Sequence, residues 1–403
     1  MRIRRGPAEA KTIVNLSSVC GRRDMLTSID LATLRLCSVL ASVTFTVIFL
    51  SLWRGRKDER HNLLWAASLL LYCVALAGLE WINRPQDVLI RSLLVAALTA
   101  SNIPLVAGVR LFAGRTLWRW WMAVPPAVTL AGFLLPQALG QFAIVMPPHS
   151  EQLLAAIGLA TGMGVFGADM IRQAGRAVPD GYGGRIAGGA MLAYMPCYVF
   201  AIAGEVLHFA TPSTLAVAAL LSDQLLLMLL NVGLLAMPAE AAFAAMRERA
   251  WRDGLTGVHN RAWLAGVHDE FLKTGTWLAH IDIDHFKAIN DRFGHAAGDG
   301  TLTALARALV LATAESGLQS GAKVVRMGGD EFLVIMPNAS LLTAQALVRH
   351  VRTAINCIGP FDWTVSIGLT EVAAQDTSLA DAVERADQQL YAAKLAGRDR
   401  VAA

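Results

Sequence analysis

The chain has 403 residues, 55% of them hydrophobic and 16% charged, with a mean hydropathy of +0.47 and a formal net charge of +4. Soluble chains carry about 25% charged residues, so this composition excludes an ordinary soluble protein. It equally excludes a disordered one, and so small a net charge makes no case for a nucleic-acid partner. The charge is unevenly placed. Residues 1–246 hold 19 Lys and Arg against 13 Asp and Glu, while residues 247–403 hold 16 against 18. The second stretch is as charged as soluble protein; the first gathers its few charges between long apolar runs.

Residues 1–30 read as an N-terminal tail with Arg2, Arg4, Arg5, Lys11, Arg22 and Arg23. Synthesis from Met25 would remove all six, and a cleaved signal around Lys11–Cys20 is the weaker reading because its apolar core is short and interrupted. Residues 31–237 then contain about seven runs of spanning length, at 32–53, 62–82, 88–112, 117–137, 151–171, 187–208 and 214–237. The fourth and fifth are the softest, with Pro125-Pro126 inside one and an apolar joint near Phe142–Met146, so six or eight crossings remain open. Arg54, Arg56, Lys57 and Arg60 follow the first run, and Arg110, Arg115 and Arg119 surround the loop after the third. Arg172, Arg176 and Arg185 lie around the loop after the fifth, and Arg247, Arg249 and Arg252 follow the last. Positive residues stay on the cytoplasmic side of short loops, which places the C-terminal region in the cytoplasm and, with seven spans, the N-terminus outside.

Glu80, Asp169, Glu205, His208 and Asp223 lie in or beside the runs. Ionisable groups at membrane depth are costly and mark function by default; interhelical hydrogen bonding is the bland alternative. Asp223 is the deepest. The five cysteines (Cys20, Cys37, Cys73, Cys197, Cys357) form no C-x-x-C pair and suggest neither a zinc site nor a disulfide framework. A transporter would offer duplicated halves or paired broken helices, which the runs do not show, so a sensor is the simpler reading.

Residues 238–252 read as a linker helix of strong helix formers. Phe243, Met246 and Ala250 fall at heptad-like spacing, as either a short two-stranded seam or a plain connector. Residues 253–403 change character. A strand is predicted at Trp277–Ile283, a helix at about 299–314, and a hairpin of strands Lys323–Met327 and Glu331–Met336 around Gly328-Gly329-Asp330. A helix at 341–356, a strand at Trp363–Thr370 and a helix at 378–395 follow. The pattern predicts an α/β (α+β) domain, a sheet packed by helices, behind a multi-pass α-helical membrane domain.

The chemistry lies in carboxylates at strand ends. Asp282 closes one strand and Asp330 sits at the hairpin tip; such pairs hold Mg²⁺ while substrate phosphates complete its octahedron. Gly328 and Gly329 leave room for a nucleotide beside the backbone. Lys394 and Arg398, at i and i+4 of a predicted helix, are placed to clamp a triphosphate.

Arg326-Met-Gly-Gly-Asp-Glu-Phe332 resembles the signature of the GGDEF family of diguanylate cyclases. The resemblance spans about residues 251–400. It includes Asp253-Gly-Leu-Thr-Gly-Val-His-Asn-Arg261, Ile281-Asp-Ile-Asp-His-Phe-Lys-Ala-Ile-Asn290, Gly294-His295, Gly298-Asp299, Ser366-Ile-Gly368 and Tyr391-Ala-Ala-Lys-Leu-Ala-Gly-Arg398. It implies a mainly antiparallel central sheet flanked by helices and condensation of two GTP into cyclic di-GMP with release of two pyrophosphates. It further implies two Mg²⁺ per site, with Mn²⁺ an alternative, held by Asp282, Asp330 and the Ile283 carbonyl. Asp330 or Glu331 would help deprotonate the attacking hydroxyl, Asn290 and Asp299 would read guanine, and Lys287, Lys394 and Arg398 would bind phosphates. One GTP per domain implies a homodimer, here in a bacterial inner membrane, feeding downstream cyclic di-GMP receptors.

The sequence departs from the pattern twice. Gln319 and Ala322 replace the Arg and Asp of the family's product-inhibition motif, so no inhibitory site is expected there. His285 stands where an aromatic Phe is usual, and a surface or packing role is expected for it. The chain ends without a phosphodiesterase domain, so product hydrolysis is not expected. The rival reading is a catalytically silent GTP or cyclic di-GMP receptor.

Overall fold

Inside lipid a backbone can satisfy its polar groups only by coiling on itself or closing a barrel, and the N-terminal region is helical. In this computed structural model the described residues are 31–81, 88–141, 150–207, 211–266, 271–316, 321–355 and 361–403. They divide into two compact units between Phe243 and Ala244. The N-terminal tail with Met25, His208, Gln319, Cys20, Cys357 and the side chains of Glu80 and Glu205 lie outside the described set.

The first unit contains α1 (Leu31–Gly55), α2 (Arg60–Trp81), α3 (Val88–Ala100), α4 (Asn102–Phe112), α5 (Val124–Gln141), α6 (Ser150–Ala177) and α7 (Gly183–Val206). Helix α8 (Pro212–Ala250) begins here. Among the described residues six segments are long and apolar enough to cross a membrane, α3 and α4 together forming one of them, Leu89–Phe112. The fourth predicted run is a shorter apolar helix, Trp120–Pro136. It is nonetheless packed among the others: Thr129 Oγ1 lies 3.1 Å from Thr99 Oγ1 of α3, and Gly132 and Gly158 sit at its contact with α6. Small residues at such seams let backbones approach where no hydrophobic effect drives association. Phe49, Trp65, Met122, Phe166, Met170 and Leu234 fill the interior, and Trp65 Nε1 donates to the Leu105 carbonyl at 3.2 Å. Leu40, Val47, Val74, Val199 and Leu225 are exposed; apolar residues outside as well as inside are what a lipid surround permits. The last run and the linker stretch form one helix, α8, which continues through Pro238. One missing amide interrupts little where Ala239–Ala250 is so rich in strong helix formers.

The second unit adds β1 (His259–Asn260), α9 (Arg261–Gly266), β2 (Trp277–Ile283), α10 (Phe286–Phe293), α11 (His295–Glu315), β3 (Lys323–Gly328) and β4 (Glu331–Met336). It closes with α12 (Leu341–Ile355), β5 (Val365–Glu371), α13 (Leu379–Leu395) and β6 (Val401–Ala402). The sheet runs β1-β3-β4-β2-β5-β6, antiparallel through its centre and parallel only where the two-residue strands β1 and β6 join the edges. The expected central sheet and flanking helices are present. Strand β2 alternates between two cores, because successive side chains point to opposite faces. Ala279, Ile281 and Ile283 pack with Leu305 and Leu309 of α11 and Leu347 of α12. Leu278 packs with Leu379, Ala382 and Ala386 of α13.

Gly368 of β5 explains part of the resemblance. A Cβ there would collide with the backbone of Ala386 and Leu390 on α13, so only glycine lets that helix lie against the sheet. Opposite Gly368 stands His280 of β2. The clashing atoms are backbone, so neither side can yield. Replacing Gly368 by Ala should cost about 2 kcal/mol or more, a fall in Tm of roughly 4–8 °C for a domain of this size, checked by thermal unfolding of the 244–403 fragment.

Candidate active site

The β2–β4 register sets Asp282 directly across from Glu331. Asp330 precedes Glu331 in a turn whose shape depends on glycine, with φ of +147° at Gly328 and +55° at Gly329. Three carboxylates therefore gather at one end of the sheet. Asp282 is buried, and Lys394 Nζ of α13 pairs with its Oδ2 at 2.8 Å. Burial pushes the Asp282 carboxyl up to about 6, helped by the nearby charges of Asp330 and Glu331 and opposed by Lys394. Excess negative charge held in partial desolvation is the setting in which a divalent cation is most stabilising.

Among the described residues no group of three or more His, Cys, Asp or Glu side chains is clustered to hold a metal by itself. Magnesium retains waters and takes one or two carboxylates together with substrate phosphate oxygens, and Asp282, Asp330 and the Ile283 carbonyl are donors of that kind.

Asp284, two residues beyond Asp282, has a different task that sequence reasoning missed. It is buried and accepts from Thr364 Oγ1 and Ser366 Oγ, both at 2.7 Å, and from the Asp399 amide at 3.1 Å. It thereby ties the end of β2 to β5 and to the segment after α13. Pairing within the motif Ser366-Ile-Gly368 was the available signal.

Lys287 is exposed on the first turn of α10, and Asn290 lies one turn further on. Asn290 stands against Gly298 of α11, where a Cβ would overlap its amide oxygen. The next residue, Asp299, is exposed, so the Asn290 amide and the Asp299 backbone share one corner. His285 is exposed at φ +57°, the residue preceding α10, in agreement with a surface role. Ala322 precedes β3 and its neighbour in the motif, Gln319, lies outside the described residues.

Arg398 requires a correction. It does not share a helical face with Lys394, because α13 ends at Leu395. Gly397 at φ +110° and Arg398 at +61° turn the chain back, and the Arg398 amide donates to the Ala393 carbonyl at 3.1 Å. Left-handed glycine is a common helix stop, and it overrides the i, i+4 spacing. Arg398 is exposed beyond the helix end; only Lys394 of the pair touches a carboxylate of the site.

A second brace went unread in the sequence. Arg326 donates to the Gly329 carbonyl through Nε at 3.1 Å and Nη2 at 2.8 Å, and its Nη1 pairs with Asp253 Oδ1 at 2.9 Å. Asp253 also accepts from the amide and hydroxyl of Thr256. One guanidinium thus fixes the glycine turn to the loop that opens the domain. Beside the carboxylates a groove of about 540 Å³ runs between α9 and α13, lined by Arg261, His280, Met327, Glu331, Val383 and Asp387. Burial keeps the His280 imidazole below its ordinary range. A larger groove of about 780 Å³, lined by Arg252, Arg307 and Lys323 among others, lies beside β1 and β3 and includes none of the three carboxylates.

The family described as "Diguanylate cyclase, GGDEF domain" matches residues 250–400. The diguanylate cyclase DgcP of Pseudomonas aeruginosa is 40% identical over 168 residues, covering 38% of this chain and 24% of that protein. The diguanylate cyclase VdcA of Vibrio cholerae is 36% identical over 169 residues, covering 39% and 48%. Among solved structures, the coiled coil and GGDEF domain of DgcB from Caulobacter crescentus, in complex with c-di-GMP, is 28% identical with a TM-score of 0.37, covering 41% of this chain and 91% of that one. The chain spans between about a quarter and a half of the length of these curated relatives.

Burial would raise the Asp253 carboxyl, but the hydrogen bonds from Thr256 and Arg326 outweigh it and hold the group below the usual carboxylate range. A depressed folded value stabilises the fold above the unfolded pKa, about 3.9, and the contribution is lost as pH falls through the folded value. Asp253→Asn should therefore destabilise the 244–403 fragment at pH 7, with the gap to wild type closing below about pH 4. Urea unfolding across that range measures it; a gap that stays constant with pH would contradict the ion pair.

Proposed function

We propose, from the premise that residues 250–400 are a GGDEF domain, that this chain condenses two GTP into cyclic di-GMP and two pyrophosphates. The observation that carries the reading is the meeting of Asp282, Glu331 and the Gly328-Gly329-Asp330 turn at one sheet end. In this reading Asp282, Asp330 and the Ile283 carbonyl hold Mg²⁺, or Mn²⁺ in its place. Such an ion, when bound, lowers the pKa of an attacking hydroxyl and takes up charge on the leaving pyrophosphate.

The chain's own residues do the rest. Asp330 or Glu331 accepts the 3′-hydroxyl proton. Gly328 and Gly329 bring backbone against the nucleotide. Asn290 and Asp299 select guanine, since a carboxylate accepts the N1–H and N2–H that adenine lacks. Lys287 and Arg398, both exposed, bind phosphate oxygens. Lys394 changes partner: without nucleotide it neutralises Asp282, and with nucleotide it turns to the phosphates. One domain holds one GTP, so two copies of the chain assemble the product. Phe243 and Met246 on α8 are 70% and 63% exposed, which favours the heptad-spaced stripe as their seam.

The six long apolar helices, with the shorter α5 as a seventh crossing, put the Arg-rich loops at 54–60, 110–119, 172–185 and 247–252 on one side, which supports a multi-pass protein of a bacterial inner membrane with this domain in the cytoplasm. There the product reaches downstream cyclic di-GMP receptors, and the membrane half regulates its synthesis.

Purified full-length protein with GTP and Mg²⁺ should form cyclic di-GMP, and Asp330→Ala should lower the rate about 10³-fold or more, the several kcal/mol of charge stabilisation lost with the ion. Nucleotide binding without turnover in the wild type would instead favour the silent receptor. With Gln319 and Ala322 in place of the charged pair, micromolar product should leave the rate unchanged. Inhibition that disappears on mutating those two positions would refute that expectation.

A further inference from the structure

Two carboxylates are described inside the helical bundle, and they are treated differently. Asp169 of α6 is buried and supplied with the chain's own cations. Arg110 pairs with it at 3.0 Å and Arg172 at 2.7 Å, and Gln173 donates at 2.9 Å. Among the described residues the side chain of Asp223 of α8 is met by hydroxyls only. Tyr72 of α2 donates to Oδ2 at 2.7 Å, Ser38 of α1 to Oδ2 at 3.3 Å, and Tyr194 of α7 to Oδ1 at 3.1 Å. Among the described residues no Lys or Arg forms an ion pair with it. An uncompensated charge at membrane depth is costly, and a cation brought to Asp223 would offset that cost.

Asp223 also opens on space. It lines a cavity of about 230 Å³ together with Tyr72, Tyr194, Tyr198, Met163 and Met191. Tyr194 and Tyr198 stack within it, ring centroids 6.3 Å apart. Carboxylate charge and aromatic faces attract the same kind of ligand, a cation that binds without needing hydrogen bonds. Three of the roughly four lone-pair positions of the carboxylate are taken by the hydroxyls. A ligand that must itself donate several hydrogen bonds would displace them. A hard metal ion would need about six oxygens; beyond Asp223 and the tyrosines the walls offer only the side chains of Asn102 and Ser222, and the rest are Leu, Met, Ala and Cys.

We propose that the cavity between α2, α7 and α8 binds a small organic cation, a quaternary or tertiary ammonium, paired with Asp223 and enclosed by Tyr72, Tyr194 and Tyr198. The site is independent of the cyclase reading, because binding is measured without turnover. Full-length protein in lipid nanodiscs is titrated with tetramethylammonium chloride, with sodium chloride at matched ionic strength, and with neopentyl alcohol as the uncharged counterpart. Thermal unfolding and calorimetry give the affinities.

Tetramethylammonium should bind saturably and raise Tm, while the other two should not. Asp223→Asn and, separately, Tyr198→Leu should each weaken binding about tenfold or more. Tyr198 makes none of the described hydrogen bonds to Asp223, so its variant keeps the hydroxyl network and reports on the ring alone if Asp223→Asn fails to fold. Equal effects of sodium would assign the site to a metal ion and overturn the proposal. Equal effects of neopentyl alcohol would reduce it to an apolar void. Unchanged affinity in Tyr198→Leu, or no binding in the wild type, would also overturn it.

Discussion

The antiparallel register of β2 against β4 places one carboxylate across from another, Asp282 facing Glu331, and the rest of the C-terminal unit is arranged around that cost. Like charges directly opposed destabilise a sheet. Here the strain is relieved from outside the sheet, by Lys394 of α13 reaching Asp282 at 2.8 Å. That reach depends on α13 lying close, which depends on Gly368 having no side chain. The helix in turn starts at a fixed residue, because Ser378 and Asp381 form a reciprocal cap. The register itself cannot slip. Moving β2 by one residue would turn Asp282 and Leu278 into the α11–α12 core and expel Ile281 from it.

Much of this domain was legible because its signals are local. The strands Trp277–Ile283 and Glu331–Met336 match their apolar runs to the residue, and the double glycine announced its turn through positive φ. What stayed hidden is non-local. Strands β1 and β6 are two residues long and exist only through pairing with β3 and β5, so no pattern within them could declare a strand. Helix α11 begins at His295, ahead of the predicted start, because Gly294 at φ +83° separates it from α10. Arg398 was misplaced because spacing assumes a helix continues, and Gly397 ended it. Of the site, the residue types were readable and their pairing was not: neither Lys394–Asp282 nor Arg326–Asp253 follows from separation along the chain.

The bundle presents the opposite balance. Its helices are apolar on nearly all faces, so periodicity cannot say which side is inward. The information lies in the few residues that break the pattern. Glycines mark the close crossings, as where Gly167 and Gly188 bring α6 and α7 together. Polar residues mark the knots. Composition flagged Asp169 and Asp223 alike, and only the partners separate them: two arginines for the first, three hydroxyls for the second.

The ion pair at Asp282 and the hydroxyl knot at Asp223 answer the same physical problem, a carboxylate withdrawn from water, in ways that differ in what they leave possible. A lysine on a flexible stem is an exchangeable partner; the pair is partly exposed, with Lys394 at 30% and Asp282 at 11%, so exchanging it for another cation does not strand a charge in a dry core. Breaking a fully buried pair would leave such a charge uncompensated and cost several kcal/mol, which is the position of Arg110 and Asp169, at 5% and 4% exposed. The Arg110–Asp169 pair therefore fastens α4 to α6, and the Lys394–Asp282 pair holds a site in readiness. Exposure, more than the chemistry of the partners, separates an ion pair that holds the fold from one that can be traded for another cation.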